Sequence, residues 1–209
     1  MKLYNTVYKE ASAEQTIEKS RFIAYVKPVE SREEGDSFIA AVRKKHKDAT
    51  HNVPAMVLGD KFQIQWASDD GEPQGTSGAP IVQMLVKEGI TNVVVVVTRY
   101  FGGIKLGTGG LVRAYTSSAK LGLEAAGICE IVQMHLLTYQ VDYTYLAKIQ
   151  NDMQSSNFTI EDIRYTDVVS LDLACLPEDT EALLKRLSNM TAGKGILQNQ
   201  QERLIKKLI

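Results

Sequence analysis

Five consecutive valines at residues 93–97 constrain the fold of this chain more than any other feature. β-branched side chains favour strands, and the run lacks the polar alternation of a strand with one solvated face. It therefore predicts a central strand that is covered on both faces. The run is also far shorter than the roughly 20 apolar residues that span a bilayer, so we expect no membrane partner.

The segments around the valines alternate between strand and helix patterns. Ser31 and Glu34 have the spacing of a capping box, which opens a helix. The helix that precedes residue 130 has mainly small side chains, including Ala114 and Gly122, which let a helix lie close to a sheet. Helices packed on a mixed sheet indicate an α+β domain. The predicted elements are strands at residues 21–26, 53–58 and 62–67 and helices at 31–47, 80–87 and 109–126.

A change in composition near residue 130 divides the chain into two predicted domains, 1–130 and 131–209. Thirteen of the 15 glycines lie in the first domain. The second domain has the pattern β-α-β-β-α-β, which is the order of a ferredoxin-like fold. Its predicted elements are strands at residues 136–141, 158–165, 168–175 and after Gly195, with helices at 145–155 and from Pro177.

The charge of the chain excludes a broadly basic surface. Lys and Arg number 24 and Asp and Glu number 25, which gives a net charge of −1. The first domain has 16 basic and 15 acidic side chains, and the second has 8 and 10. Neither domain is charged enough to identify a partner, although a local basic patch remains compatible with this balance.

Cysteine and histidine are too scarce for a disulfide framework or a structural zinc site. The two cysteines, Cys129 and Cys175, lie outside any CxxC pair and are interpreted as small core residues. We expect no bound metal and no cofactor. The first residues lack the apolar segment of a signal peptide, so we expect a cytoplasmic protein.

The first candidate site is the acidic and glycine-rich segment at residues 69–78. Asp69, Asp70 and Glu72 are three carboxylates within four residues, a pattern that can bind Mg²⁺. The favoured interpretation is a structural turn, because Asp and Gly prefer turns for backbone reasons. Thr76 and Ser77 follow at a predicted helix start, where backbone N–H groups can hold an anion.

The second candidate is the glycine loop that leaves the valine strand, residues 99–110. Arg99, Lys105 and the backbone N–H groups of the loop could surround a phosphate or contact nucleic acid. The loop matches neither a P-loop nor a dinucleotide fingerprint, and close packing explains glycines equally well. The residues assigned to ligand or nucleic-acid binding are Arg99, Tyr100, Phe101, Gly102, Gly103, Lys105, Gly107, Gly109, Gly110 and Arg113, with Thr76 and Ser77.

Two histidines, His46 and His51, lie five residues apart and are a candidate acid–base or ligand pair. His46 falls on the face of the first helix that carries Phe38 and Val42, so a hydrogen-bonded histidine at the helix end is favoured. His51 opens the next strand and remains a candidate for chemistry. No GxSxG nucleophile motif is present.

Several of these segments resemble the signature of the Impact/YigZ family, also called UPF0029. The resemblance covers about residues 15–127. It implies that residues 1–130 have the fold of ribosomal protein S5 domain 2, which translation factors also use. It implies that residues 131–209 form a ferredoxin-like domain similar to elongation factor G domain V. The matching segments are residues 20–23, 48–51, 69–80 and 89–107.

Three functions remain open on this basis. The leading hypothesis is a non-enzymatic protein that associates with RNA or the ribosome in the regulation of translation, through Arg99, Tyr100, Phe101, Lys105 and Arg113. The second is an enzyme for a small phosphorylated or acidic ligand. It requires the candidate catalytic residues His51, Asp69, Asp70 and Glu72 to converge. The third is an adaptor that docks a protein partner on its C-terminal domain.

Overall fold

The computed structural model describes residues 2–209 and divides them into two compact units. The N-terminal unit consists of Tyr4–Ile131 together with Lys206–Ile209, and the C-terminal unit consists of Val132–Ile205 with residues 2–3. The final four residues, which the sequence assigned to the second domain, thus group with the first. Residue 1 of the predicted first domain lies outside the described residues.

The chain is a mixed α/β protein with two sheets and five α-helices among the described residues. Up to residue 126 the elements are β1 (Lys2–Val7), β2 (Ala11–Ile17), β3 (Ser20–Pro28), α1 (Arg32–Lys45), β4 (His51–Leu58), β5 (Ile64–Ala67), α2 (Gly78–Lys87), β6 (Val93–Tyr100) and α3 (Gly107–Ala126). The remainder forms β7 (Ile128–Val141), α4 (Tyr143–Gln154), β8 (Thr159–Tyr165), β9 (Val169–Cys175), α5 (Thr180–Met190) and β10 (Ile196–Leu208).

The valine strand is the middle of the sheet in the N-terminal unit. The strand order is β2-β3-β6-β4-β5, and β6 pairs antiparallel with both β3 and β4. Residues 93–97 are fully buried. Val93, Val95 and Val97 pack in one core with α2 and α3, and Val94 and Val96 pack in a second core with α1. The prediction of a strand covered on both faces is therefore confirmed.

Glycine at position 122 sets how closely α3 approaches the sheet. A Cβ atom added there would lie 2.7 Å from Val26 Cγ2 and 2.9 Å from Ala24 Cβ. Both distances are shorter than ordinary carbon–carbon contacts, so a larger side chain would push α3 from β3. The close approach that the small side chains of this helix predict is confirmed.

Gly122→Val is expected to lower the free energy of unfolding by about 1–3 kcal/mol, because it overpacks the contact between α3 and β3. Chemical denaturation followed by circular dichroism measures the change. The control is Gly109→Ala in the same helix, where an added Cβ meets nothing within 4 Å. Equal stability of the two variants would contradict overpacking at position 122.

The C-terminal unit packs two helices against its own sheet. β10 pairs with β7, β7 with β9 and β9 with β8. Leu137, Leu171 and Leu173 of the strands meet Ile149 of α4 and Leu183 of α5 in one core. No helix among residues 2–209 has both the length and the apolarity that crossing a membrane requires.

The strands β1 and β2 are absent from the sequence-based prediction. In β2 half-buried residues alternate with exposed ones, and none is fully buried. Its polar and small side chains, such as Ser12, Glu14 and Gln15, give a weak hydrophobic pattern. Pairing with the buried strand β3 decides its conformation instead.

Candidate functional site

The end of β6 directs two neighbouring side chains to opposite faces of the sheet, because successive residues of a strand alternate. Arg99 points toward the side of α3, where it is only 4% exposed. Tyr100 points toward α1, where its hydroxyl lies 2.8 Å from His46 Nδ1. The predicted binding surface that joined Arg99 and Tyr100 is therefore wrong.

Arg99 forms a buried ion pair with Glu72. Its Nη1 donates to Glu72 Oε1 at 2.7 Å, and its Nη2 donates to Ser20 Oγ at 3.2 Å. Two aromatic rings, Phe22 and Phe101, each lie with their centroids 5.3 Å from the guanidinium carbon. The third nitrogen, Nε, is buried without a hydrogen-bond partner among the described residues. An unpaired buried donor is costly.

Tyr115 of α3 contacts the same oxygen of the Glu72 carboxylate as Arg99. Its hydroxyl donates to Glu72 Oε1 at 2.7 Å. Burial, and then the hydrogen bond to Glu72, raise the pKa of the Tyr115 phenol far above its ordinary value of 10.0. The phenol therefore remains a hydrogen-bond donor to Glu72 at neutral pH.

His51, the first residue of β4, presents one ring nitrogen to Glu72. Its Nδ1 lies 2.8 Å from the carbonyl oxygen of Asp70, which can only accept, so Nδ1 carries a proton. Its Nε2 lies 3.7 Å from Glu72 Oε1. Nε2 is therefore the nitrogen that faces the carboxylate, and the side chain is 18% exposed.

A cavity of about 450 Å³ adjoins this cluster. The ring of Phe101 at its edge is 46% exposed. The first turn of α3, which begins at Gly107, has no side-chain cap, so its backbone N–H groups remain available. The cavity thus combines apolar walls with cationic and N–H donors. Its lining residues are Thr50, His51, Glu72, Pro73, Arg99, Phe101, Lys105, Leu106, Gly107, Thr108 and Leu111.

The acidic segment at residues 69–78 does not gather into one site. Asp70 Oδ2 accepts from the backbone N–H of Asn52 at 2.6 Å, and its Oδ1 accepts from Arg43 at 3.1 Å. Only Glu72 of the three carboxylates lines the cavity. Of the four predicted catalytic candidates, the structure brings His51 and Glu72 together and directs Asp69 and Asp70 elsewhere. Residues 2–209 contain no cluster of three or more His, Cys, Asp or Glu side chains suited to a metal.

Asp69 occupies the anion site that the sequence predicted at Thr76 and Ser77. Its carboxylate accepts from the backbone N–H groups of Gly75, Ser77 and Gly78 at 2.8, 3.2 and 2.9 Å. The Ser77 hydroxyl also donates to it at 2.7 Å. The start of α2 is therefore already paired with a carboxylate, and Thr76 donates to the carbonyl of Pro73. The groups at Thr76 and Ser77 that were predicted to bind a ligand are thus paired within the chain.

The glycines of the loop after β6 have different roles. A Cβ at Gly102 would lie 2.0 Å from the carbonyl oxygen of Lys19, so this glycine permits close backbone packing. Gly103 and Gly107 have φ angles of 88° and 71°, and of these Gly107 lines the cavity. Arg113 is directed away from the cavity, and its Nε donates to the carbonyl of Gly109 in its own helix.

His46 is a hydrogen-bonded histidine at the end of α1, as the sequence favoured. Its Nε2 lies 2.6 Å from the Tyr25 hydroxyl, and its Nδ1 bonds Tyr100. Burial, followed by the charges of Lys45 and Arg21, lowers the pKa of His46. It lies on the face of the sheet opposite the cavity and has no part in it.

The predicted site residues do not include Tyr115 and Ser20, which complete the buried cluster. Tyr115 is the one aromatic residue of a helix with mainly small side chains, and it is fully buried. A lone polar ring on a buried helix face needs a hydrogen-bond partner, which is the signal that could have revealed it. Ser20 is a common residue at a strand start and carries no such signal.

Two family models match separate parts of the chain. The model of the Impact N-terminal domain matches residues 18–123, and a domain of unknown function, DUF1949, matches residues 140–194.

Two curated relatives are similar over most of this chain. "IMPACT family member YvyE" of Bacillus subtilis is 39% identical and covers 99% of this chain and 95% of its own length. "IMPACT family member YigZ" of Escherichia coli is 33% identical and covers 86% of this chain and 89% of its own length. A crystal structure of a hypothetical protein is 30% identical, has a TM-score of 0.60 and covers 100% of this chain and 98% of its own.

Proposed function

The chain belongs to the Impact family, and we propose that its N-terminal unit binds unpaired RNA in a role connected with translation. The observation that carries the proposal is the cavity beside α3, where an exposed aromatic ring adjoins cationic and N–H donors. Bases of single strands stack on aromatic rings, whereas phosphates meet cations and free N–H groups. A single cavity therefore offers both kinds of contact.

Three groups supply the complementary contacts in this proposal. Phe101 provides the stacking surface for a base. Lys105 and the uncapped first turn of α3 receive the adjoining phosphate. The buried guanidinium of Arg99 stays paired with Glu72 and Ser20. Arg99 therefore acts as a buried donor in the wall of the cavity and not as a surface cation.

The dimensions and charge of the cavity favour a single strand over a duplex. Its volume of about 450 Å³ lies in the range of about 300–1,000 Å³ that is usual for small-ligand sites. The near-neutral charge of this unit supplies few phosphate contacts. If the site contacts two phosphates, the logarithm of the association constant is expected to fall linearly with the logarithm of the salt concentration. The expected slope is about −1.4.

The finer fold assignment belongs to the same proposal. We assign the N-terminal unit to the fold of ribosomal protein S5 domain 2 and the C-terminal unit to the ferredoxin-like fold. The pairing of β10 with β7, β7 with β9 and β9 with β8 supports the second assignment. The family resemblance implies two folds that translation proteins also use. This favours the ribosome as the place of action. A protein partner for the C-terminal unit stays a prediction.

Fluorescence anisotropy with a labelled, unstructured RNA of 12 nucleotides tests the binding. Phe101→Ala is expected to weaken binding by about 5- to 100-fold, because base stacking on an aromatic ring contributes about 1–3 kcal/mol. Lys105→Ala is expected to weaken binding and to reduce the salt slope by about 0.7, the contribution of one phosphate.

The matched controls are Tyr165→Ala, which removes an exposed ring of the C-terminal unit, and Lys44→Ala, which removes an exposed cation of α1. Both controls should bind as the unaltered chain does. Binding that is unchanged in Phe101→Ala and Lys105→Ala would contradict the site. Binding of a free mononucleotide without any binding of RNA would contradict the RNA partner.

A further inference from the structure

The cavity contains a carboxylate and an imidazole in a position to transfer protons. Glu72 Oε1 and His51 Nε2 are 3.7 Å apart, and both residues line the same cavity. We infer that this pair cleaves bound RNA through the 2′-hydroxyl of the RNA itself. The inference rests on the proposed RNA binding and extends it from recognition to reaction. It differs from the leading hypothesis of a non-enzymatic protein.

Glu72 is suited to act as the general base. Its oxygen Oε1 accepts hydrogen bonds from Arg99 Nη1 and from the Tyr115 hydroxyl, which fix the position of the carboxylate. Both donors meet Oε1, and neither meets the second oxygen, Oε2. A positioned carboxylate with a free lone pair can accept the proton of a hydroxyl that lies in the cavity.

His51 is suited to act as the general acid. The carbonyl oxygen of Asp70 holds Nδ1 in its protonated form, which orients the ring and leaves Nε2 facing Glu72. The imidazole can therefore carry the proton that a leaving oxygen needs.

Donors for the reacting phosphate lie in the same cavity. Arg99 is 4% exposed, and its Nε has no partner among residues 2–209. Lys105 and the N–H groups of the first turn of α3 add further positive potential. Fixed donors of this kind stabilise the charge that develops on a phosphate during displacement.

The step balances without any co-reactant. Glu72 takes the proton of a 2′-hydroxyl, and the 2′-oxygen of the ribose forms a bond to the adjacent phosphorus. The bond from phosphorus to the 5′-oxygen of the next nucleotide breaks, and His51 gives its Nε2 proton to that oxygen. The products are a 2′,3′-cyclic phosphate and a free 5′-hydroxyl. Transfer of the proton from Glu72 back to His51 restores the pair.

Incubation of the full chain with the 12-nucleotide RNA, followed by mass spectrometry of the ends, tests the reaction. The unaltered chain is expected to release fragments that end in 2′,3′-cyclic phosphate. His51→Ala and Glu72→Gln are expected to lower the initial rate at least about 100-fold, the usual effect of losing an acid or base. A 2′-deoxy strand of the same sequence should bind and remain intact.

The control is His135→Ala, which removes a histidine of similar exposure in the C-terminal unit and should leave the rate unchanged. Because Glu72→Gln disturbs a buried ion pair, His51→Ala is the decisive variant, since its side chain lies at the cavity surface. Equal rates in His51→Ala and the unaltered chain would overturn the inference. Binding without cyclic-phosphate ends would also overturn it, while the proposed RNA binding would stand. Absence of binding to either strand would overturn both.

Discussion

Arg99→Met is expected to lower the free energy of unfolding by about 3–5 kcal/mol, the usual cost of breaking one half of a buried ion pair. The change removes the guanidinium that donates to Glu72 at 2.7 Å. The carboxylate then remains buried with Tyr115 as its nearest donor. Methionine occupies a similar volume, so the loss reports the charge and not a cavity.

Urea denaturation followed by circular dichroism measures this loss. The control is Arg113→Met on the exposed side of α3, which is expected to change stability by less than about 0.5 kcal/mol. The double variant Glu72→Gln with Arg99→Met removes both charges and is expected to recover part of the stability. A loss below about 1 kcal/mol in Arg99→Met would contradict the buried ion pair.

Asp69→Ala is expected to lower the free energy of unfolding by about 2–3 kcal/mol. The carboxylate accepts four hydrogen bonds from Gly75, Ser77 and Gly78 at the start of α2. Substitution of a helix cap costs up to about 2 kcal/mol, and hydrogen bonds to charged groups contribute about 1.5–3 kcal/mol. In the variant these donors lose their acceptor, and water satisfies only some of them.

This stability contribution depends on pH with a defined sign. Burial acts to raise the pKa of Asp69, but the hydrogen bonds from Gly75, Ser77 and Gly78 outweigh it and lower the pKa below 3.8. The contribution is therefore complete above the unfolded value and is lost as the pH falls through the lower, folded value. The stability difference between Asp69→Ala and the unaltered chain should shrink at acid pH.

Denaturation at neutral pH and at successively lower pH values tests both parts of this prediction. Asp48→Ala, at an exposed position before β4, is the matched control and should retain full stability. A difference between Asp69→Ala and the unaltered chain that grows as the pH falls would contradict the assigned sign. A difference near zero at neutral pH would contradict the capping role.

Periodicity along the chain was sufficient to predict most elements. The valine run indicated a doubly covered strand, and the small side chains of α3 indicated its close contact with the sheet. Alternation along β6 also contained the information that Arg99 and Tyr100 point to opposite faces. The prediction that joined them on one surface ignored this rule, which is why it failed.

The sequence by itself determined the central strand, the small-sided helix and the loop in which Phe101 and Lys105 lie. Each of these depends on side-chain patterns that are local along the chain. Only the tertiary structure decided that His51 and Glu72 share a cavity while Asp69 caps α2. The reason is physical: Ser20, His51, Glu72, Arg99 and Tyr115 come from five separate segments. Their hydrogen bonds exist only after the sheet and α3 have packed, because burial removes the water that would otherwise satisfy each group.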